Sequence, residues 1–165
     1  MIQIVKDSDT RPWFFLQTAH TTYGIRVMET GHLEHLYYGE RITVDSQDSS
    51  SCAPLVIQRA FAPGNTCTYD REHPQISMED VCLEVGTLGK GGIREPFLEV
   101  RFADGSVTSD FTFDSYKIIT LKEREQCLQD SGLPHSYSEV ETDSAECLQI
   151  VLQDVTNHLE LQLFY

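Results

Sequence analysis

The sequence predicts an all-β protein, an antiparallel β-sandwich with little helix, and two observations support this. Apolar side chains alternate with polar ones in many short segments, and turn residues such as Gly, Asn, Asp and Pro separate these segments. Helical patterning with a period of about 3.6 residues is nearly absent. The segments predict about ten short strands, and the 165 residues are enough to bury one sizeable core.

The elements of the first half begin with three strands, expected at residues 13–18, 22–28 and 33–38. The tripeptide Thr30-Gly31-His32 supplies the turn between the last two. Residues 45–53 are rich in serine and acids, have no apolar stretch to bury, and predict an exposed loop. A second loop is expected at 63–75, where Tyr69 is the aromatic residue favoured for exposure.

The second half centres on residues 84–106. A glycine-rich loop, 86–92, leads into a strand in which Leu98, Val100 and Phe102 alternate with charged residues, and Asp104-Gly105 predicts a hairpin turn. The return strand runs toward Phe113, and further strands are expected at 116–119, 148–152 and 159–165. Because the chain stops on an apolar strand, we expect residues 1–165 to be a β-sandwich domain truncated before its natural end.

Charge and cysteine usage limit the possible partners and cofactors. Acidic residues outnumber basic ones by 26 to 12, and the net charge of -14 disfavours nucleic acid and anionic membranes as partners. No apolar run approaches the roughly 20 residues of a membrane span, and the N-terminus lacks signal-peptide features, so a cytoplasmic location is expected. The five cysteines form no C-x-x-C pair. We expect no cofactor.

Several residues could form chemical sites, and each of them also has a structural interpretation. Gly91 follows Lys90 where a phosphate-binding loop needs Ser or Thr, so the glycine loop is expected to be structural. His32 and His35 should point to opposite faces of a strand, which disfavours a metal site. No carboxylate pair or nucleophile elbow stands out, so no catalytic residue is expected in this chain. A sugar-stacking platform could use exposed aromatic residues, although such residues are more often core: Trp13, Tyr37, Tyr38, Tyr69 and Tyr137.

Several motifs, in order along the chain, resemble the N-terminal β-domain of α-galactosidases of glycoside hydrolase family 36. Residues 31–39, GHLEHLYYG, are similar to the family signature G-x-L-x-H-x-Y-[WY]-G, and Arg59-Ala60-Phe61 with Pro63 is similar to R-A-F-S-P. Residues 76–96 resemble the stretch ending G-x-x-D-[FY]-R-x-P. Further resemblances are found in three later segments, residues 104–106, 133–137 and 146–154.

The resemblance implies a retaining hydrolase of terminal α-galactosides of the melibiose and raffinose type, working as a homotetramer. In the family the catalytic aspartates lie in a (β/α)8 barrel that follows this domain, which implies that the barrel is absent from this chain. Loops of the domain reach toward a neighbouring subunit's active site, and the candidate substrate-binding residues by position are Gln58, Arg59, Arg71 and Arg94. The alternative is a stand-alone carbohydrate-binding β-sandwich, and a purely structural interaction domain is a third possibility.

Two positions depart from the family pattern. Gly92 and Ile93 replace the usual acid and aromatic residue before the arginine, and Gln58 replaces a frequent acid before R-A-F. If those acids contact sugar or a subunit interface, substrate range or assembly should differ in this protein.

Overall fold

The computed structural model describes residues 1–6, 11–46, 48–57, 68–92, 95–129 and 146–165. Within these residues, strands form two antiparallel sheets. The first sheet contains β1 (Ile2–Lys6), β2 (Pro12–Gln17), β3 (Thr21–Val27) and β4 (Leu33–Glu40). The second contains β5 (Thr112–Thr120), β6 (Glu146–Asp154) and β7 (Leu159–Phe164). The all-β prediction is confirmed.

Tight turns join β2 to β3 and β3 to β4. Between β2 and β3, the Thr18 hydroxyl accepts hydrogen bonds from the backbone N–H groups of His20 and Thr21, at 3.1 and 2.9 Å. Between β3 and β4, Gly31 has a φ of +83°, which glycine adopts readily because it lacks a Cβ. There the N–H of Met28 donates to the carbonyl of His32 at 2.8 Å. The three strands expected in this region are therefore present.

The main core lies between the two sheets. Phe14, Ile25 and Leu33 of the first sheet belong to the same cluster as Leu148 and Ile150 of β6, and each is at most 2% exposed. Burying each such side chain is worth roughly 1.5–3 kcal/mol. These contacts hold the sheets face to face as a sandwich.

The opposite face of β2 is also buried. Since side chains alternate along a strand, Trp13 and Phe15 point away from the main core. They pack into a second cluster with Val5, Val44 and Cys52. This explains why β2 reads as an uninterrupted apolar run.

The prediction of an exposed loop at residues 45–53 is wrong in part. Ser49–Leu55 forms a 3-10 helix, and the side chain of Asp48 caps it by accepting the N–H of Ser50 at 2.9 Å. Cys52 is 1% exposed and joins the second cluster. The helix packs on the outer face of the first sheet through the buried Cys52 and the partly buried Leu55, although its composition is mostly polar.

The predicted hairpin around Asp104-Gly105 is confirmed only at its turn. Gly105 has a φ of +87°, and the N–H of Phe102 donates to the carbonyl of Ser106 at 2.9 Å. The expected flanking strands do not pair with each other. Instead, Leu98 forms a parallel bridge with Thr87, so this segment takes its backbone partners from the glycine loop. The described residues therefore contain seven strands rather than about ten.

One α-helix occurs in the described residues, α1 (Leu121–Gln129), and the strand-dominated prediction missed it. Thr120 and Glu123 form a capping box: the Glu123 carboxylate accepts the N–H of Thr120 at 2.8 Å, and Thr120 Oγ1 accepts the N–H of Glu123 at 3.2 Å. The spacing T-x-x-E is a helix-start signal that was visible in the sequence. No helix in the described part of the chain has the length and apolarity needed to cross a bilayer.

Candidate functional site: loops gathered by Asp110

Of the four candidate substrate-binding residues, the structure describes only Arg71. Gln58, Arg59 and Arg94 lie outside the described residues. Arg71 is exposed, and it makes no hydrogen bond or ion pair with any described residue. The N–H donors of its guanidinium are thus not used by the described part of the chain.

Arg71 belongs to an ordered loop, residues 68–76, which we call the Tyr69 loop. Its ends are closed by the N–H of Tyr69, which donates to the carbonyl of Ile76 at 2.8 Å. The carboxylate of Asp70 accepts the N–H groups of Glu72 and His73 at 2.8 and 2.7 Å. These bonds fix the backbone on both sides of Arg71.

Tyr69 is half-buried, so the expectation that it is exposed is wrong. Its ring packs against a small apolar cluster formed by Met28, Ile76 and Met78. Its hydroxyl donates to Asp110 Oδ2 at 3.1 Å. The aromatic ring therefore anchors its loop to the sandwich and is not free to stack on sugar.

The glycine loop, residues 86–92, is a structural turn in the described protein. The carbonyl of Thr87 accepts the N–H groups of Lys90 and Gly92 at 3.0 and 2.9 Å. Gly89 and Gly91 both have φ values in the left-handed region, +81° and +86°. These backbone N–H groups are satisfied within the loop, which agrees with the structural interpretation of its glycines.

Gly92 is required by close packing. A Cβ on Gly92 would lie 2.7 Å from the Thr87 carbonyl oxygen and 3.0 Å from Cβ of Pro96. The first distance is shorter than real Cβ contacts, and the oxygen belongs to a backbone that cannot swing away as a side chain can. An acid at this position is incompatible with the present path of the loop.

Asp110 is the centre of the most connected polar group in the described residues. His32 Nε2 donates to Asp110 Oδ1 at 2.8 Å, and Lys90 Nζ lies 3.1 Å from Asp110 Oδ2. Tyr69 completes the set, and Lys90 Nζ also lies 4.6 Å from the centre of the Tyr69 ring. We refer to His32, Tyr69, Lys90 and Asp110 as the Asp110 cluster.

The electrostatics of the Asp110 cluster favour an ionised carboxylate. Partial burial raises the pKa of Asp110, but the hydrogen bonds and charges of His32 and Lys90 outweigh it and lower the pKa to about 2. Burial, followed by the charge of Asp110, raises the pKa of Tyr69. Asp110 is therefore a permanent acceptor at neutral pH and cannot donate a proton as a general acid.

Thr30, His32 and Asp110 are arranged like a nucleophile, base and acid. Thr30 Oγ1 lies 2.9 Å from His32 Nδ1, on the side of the ring opposite Asp110. However, Thr30 and His32 are only 8% and 3% exposed, so a substrate carbonyl has no approach to the hydroxyl. The arrangement satisfies a buried imidazole rather than activating a nucleophile.

A second carboxylate, Glu84, joins three other chain segments. Its two oxygens accept the hydroxyls of Tyr23 and Tyr165, each at 2.7 Å. His35 Nδ1 lies 3.9 Å away, so His32 and His35 contact different carboxylates, as expected for opposite faces of a strand. Burial, then hydrogen bonding to Glu84, raises the pKa of both tyrosines.

A polar pocket of about 370 Å³ lies beside the Tyr69 loop. Two internal pairs line it: Arg26 Nε with Glu34 at 2.6 Å, and Gln75 Nε2 with Glu29 at 2.7 Å. Ile57, which directly precedes Gln58, forms part of its wall and is 68% exposed. Glu29 and Glu34, the two carboxylates of the lining, are therefore each engaged by a donor from the same pocket.

In the described part of the chain, no three His, Cys, Asp or Glu side chains lie close enough to hold a metal ion together.

The aromatic residues predicted as candidates for a sugar platform differ in exposure. Trp13 is buried at 6% exposure, and Tyr38 is 71% exposed. Tyr37 is half-buried, and Tyr137 lies outside the described residues.

Sequence patterns single out members of the Asp110 cluster only separately. They pair His32 with His35 as possible metal ligands, and they place Lys90 in a loop that resembles a phosphate-binding loop. Asp110 carries no local motif, because its partners come from segments far apart in the chain. Only the folded sandwich brings these side chains together.

The two stacked antiparallel sheets and the ordered loops gathered by Asp110 define an all-β sandwich domain. The family model described as the glycosyl hydrolase family 36 N-terminal domain matches residues 31–165. The chain belongs to this family.

Relatives with assigned activities agree with the family match. The chain is 34% identical over 154 residues to the bifunctional alpha-galactosidase/sucrose kinase AgaSK of Mediterraneibacter gnavus, covering 92% of this chain and 15% of that protein. It is 30% identical over 152 residues to alpha-galactosidase AgaA of Geobacillus stearothermophilus, covering 92% of this chain and 19% of the relative. The chain thus spans less than a fifth of the length of either protein.

Solved structures show the same fold. The galactosidase domain of AgaSK superposes with a TM-score of 0.71 at 30% identity, covering 98% of this chain and 21% of that one. A double variant of Geobacillus stearothermophilus AgaA in complex with raffinose gives a TM-score of 0.65 at 25% identity, covering 93% and 20%.

Proposed function

We propose that this chain is the non-catalytic N-terminal domain of a retaining α-galactosidase that hydrolyses terminal α-galactosides of the melibiose and raffinose type. The observation that carries the proposal is the family match over residues 31–165, together with relatives that are α-galactosidases. Catalysis belongs to a (β/α)8 barrel encoded beyond Tyr165. The whole enzyme is a cytoplasmic homotetramer, which this domain helps to assemble.

The surroundings of Asp110 and Asp154 support a non-catalytic role for these two carboxylates. Glycoside hydrolysis needs one carboxyl group that is protonated at working pH and one that is ionised. Asp110 is ionised and occupied by three donors, and Asp154 accepts the N–H groups of Asp110 and Asn157. Both groups hold the fold and are not available for proton transfer to a sugar.

The second part of the proposal is that the loops shape the substrate entrance through Gln58, Arg59, Arg71 and Arg94. Support comes from Arg71, whose side chain is exposed on a fixed backbone and is not engaged by the described residues. A planar guanidinium can donate to two sugar hydroxyls at once. The sugar units beyond the terminal galactose are the expected contacts.

The catalytic claim is tested by turnover of a chromogenic α-galactoside. We expect no hydrolysis by the 165-residue chain and robust hydrolysis by the polypeptide extended through the downstream reading frame. Turnover by the short chain that survives purification to constant specific activity would contradict the proposal. So would a downstream reading frame without a barrel.

The entrance claim is tested with Arg71→Ala in the extended enzyme. We expect KM for raffinose to rise several-fold while kcat on the chromogenic substrate stays nearly constant, since a charged hydrogen bond to an outer sugar is lost. Arg101→Ala, another exposed arginine, is the matched control and should leave both unchanged. Equal KM values for the two variants would contradict the role of Arg71.

A stand-alone carbohydrate-binding module is the second candidate, and the exposed ring of Tyr38 is the observation that favours it. Calorimetric titration of the 165-residue chain with galactose, melibiose and raffinose separates the two. Binding that disappears in Tyr38→Ala would favour the module, whereas no binding favours the enzyme domain.

A further inference from the structure

Both described loops that lead to candidate sugar contacts are tied to one carboxylate. Tyr69, two residues before Arg71, donates to Asp110, and Lys90, a few residues before Arg94, forms an ion pair with it. We propose that Asp110 is a positioning residue of the substrate entrance, which sets the Tyr69 loop and the glycine loop relative to each other. This inference rests on the proposed function.

Asp110 is itself held rigidly, which makes it suitable as an anchor. Its backbone N–H donates to Asp154 Oδ2 at 3.0 Å, and Asp154 is 1% exposed at the end of β6. The preceding carbonyl, of Ser109, accepts the Thr87 hydroxyl of the glycine loop. The backbone of the anchor is thus fixed to the second sheet through Asp154 and to the glycine loop through Thr87.

The two loops also contact each other at this point. Lys90 Nζ lies over the ring of Tyr69, and His32 packs edge-on against the same ring, with centroids 4.8 Å apart. Asp110 neutralises the ammonium of Lys90 while it orients the phenol of Tyr69. A single charge therefore keeps a cation from one loop on an aromatic ring from the other.

Hydrogen exchange measured by mass spectrometry on the 165-residue chain tests the anchor without any activity assay. In Asp110→Asn, we expect exchange in both loops, residues 68–76 and 86–92, to speed up at least about tenfold, the factor for losing a charged hydrogen bond. Exchange in β2 and β6 should change much less. Asp114→Asn, an exposed aspartate on β5, is the matched control and should change neither loop.

Lys90→Met provides a variant with a smaller effect should Asp110→Asn fold poorly. It removes the cation but keeps the bonds from His32 and Tyr69, so we expect faster exchange in the glycine loop and little change in the Tyr69 loop. Unchanged exchange in both loops would overturn the proposal. So would acceleration spread evenly over β2, β6 and the loops, because this indicates general destabilisation.

The entrance role is tested in the extended enzyme with Asp110→Asn. Misplaced entrance loops should raise KM for raffinose several-fold more than KM for the chromogenic substrate, with a smaller change in kcat. A purely structural role lowers the active fraction, and so reduces kcat equally for both substrates. If the extended enzyme is active and the ratio of KM for raffinose to KM for the chromogenic substrate is unchanged in Asp110→Asn, the entrance role is refuted. If the unmodified extended protein has no α-galactosidase activity, the proposed function is refuted instead. In that case hydrogen exchange still tests whether Asp110 anchors the two loops.

Discussion

The stability contributed by Asp110 should disappear in acid, and its size follows from the pKa. The pKa of Asp110 falls from its ordinary value of 3.8 to about 2 in the folded protein. The difference between these two values corresponds to about 2 kcal/mol of stability. Because the folded value is the lower one, this contribution is complete above the ordinary value and is lost as pH falls through about 2.

Comparison of the unmodified chain with Asp110→Asn isolates this contribution. Urea unfolding can be followed by fluorescence of Trp13, the only tryptophan, which is 6% exposed in the folded chain. We expect the difference in unfolding free energy between the two proteins to shrink by about 2 kcal/mol between neutral pH and a pH of about 2. The carboxylates common to both proteins titrate in each and largely cancel.

The exposed Asp114→Asn variant serves as the control for the loss of a negative charge in a strongly acidic protein. It should differ from the unmodified chain by an amount that depends little on pH. A difference between the unmodified chain and Asp110→Asn that stays constant down to the acid limit would refute the reasoning. It would show that His32 and Lys90 do not stabilise the ionised carboxylate.

Further predictions concern Glu84 and the glycine loop. Glu84→Gln should reduce the unfolding free energy by about 1–3 kcal/mol, since a charged acceptor is lost to two phenols. It should also lower the raised pKa values of Tyr23 and Tyr165, which an absorbance titration at alkaline pH would detect as earlier ionisation. Gly91→Ala should lower the unfolding free energy, measured with denaturant, more than Gly105→Ala does. Both glycines have a left-handed backbone, which costs another residue about 1–2 kcal/mol. A Cβ on Gly91 would also meet the carbonyl oxygen of Met78 at 2.9 Å, whereas a Cβ on Gly105 would point into open space. Equal losses for the two glycine variants would contradict the packing argument.

Sequence patterns predicted the strands well where local and tertiary signals agree. The segments that became β2, β3, β4, β6 and β7 combine alternating or continuous apolar residues with turn residues at their ends, and the structure forms them there. The hairpin near Asp104 shows the limit of this reasoning. Its side chains alternate between half-buried and exposed positions as expected, but alternation fixes the faces of a segment and not its hydrogen-bonding partner.

The site was harder to predict than the fold because its chemistry is assembled from distant segments. The polar loop around Tyr69 predicts that its ring is exposed. In the structure the Tyr69 hydroxyl instead donates to Asp110, and this hydrogen bond satisfies a half-buried phenol. Periodicity carries no information on which distant carboxylate meets which cation. The capping box at Thr120 and Glu123 was, by contrast, a local signal that could have predicted α1.

The glycine loop gives the departure at Gly92 a physical meaning. On one side the loop packs closely against backbone atoms, because a Cβ on Gly91 would contact the carbonyl oxygen of Met78 and a Cβ on Gly92 would contact the carbonyl oxygen of Thr87. On the other side Lys90 holds it to Asp110. A loop confined from both sides leaves no room for a larger side chain such as the acid that the family resemblance implies at position 92. An acid there would therefore require the backbone to follow a different path between Thr87 and Gly92.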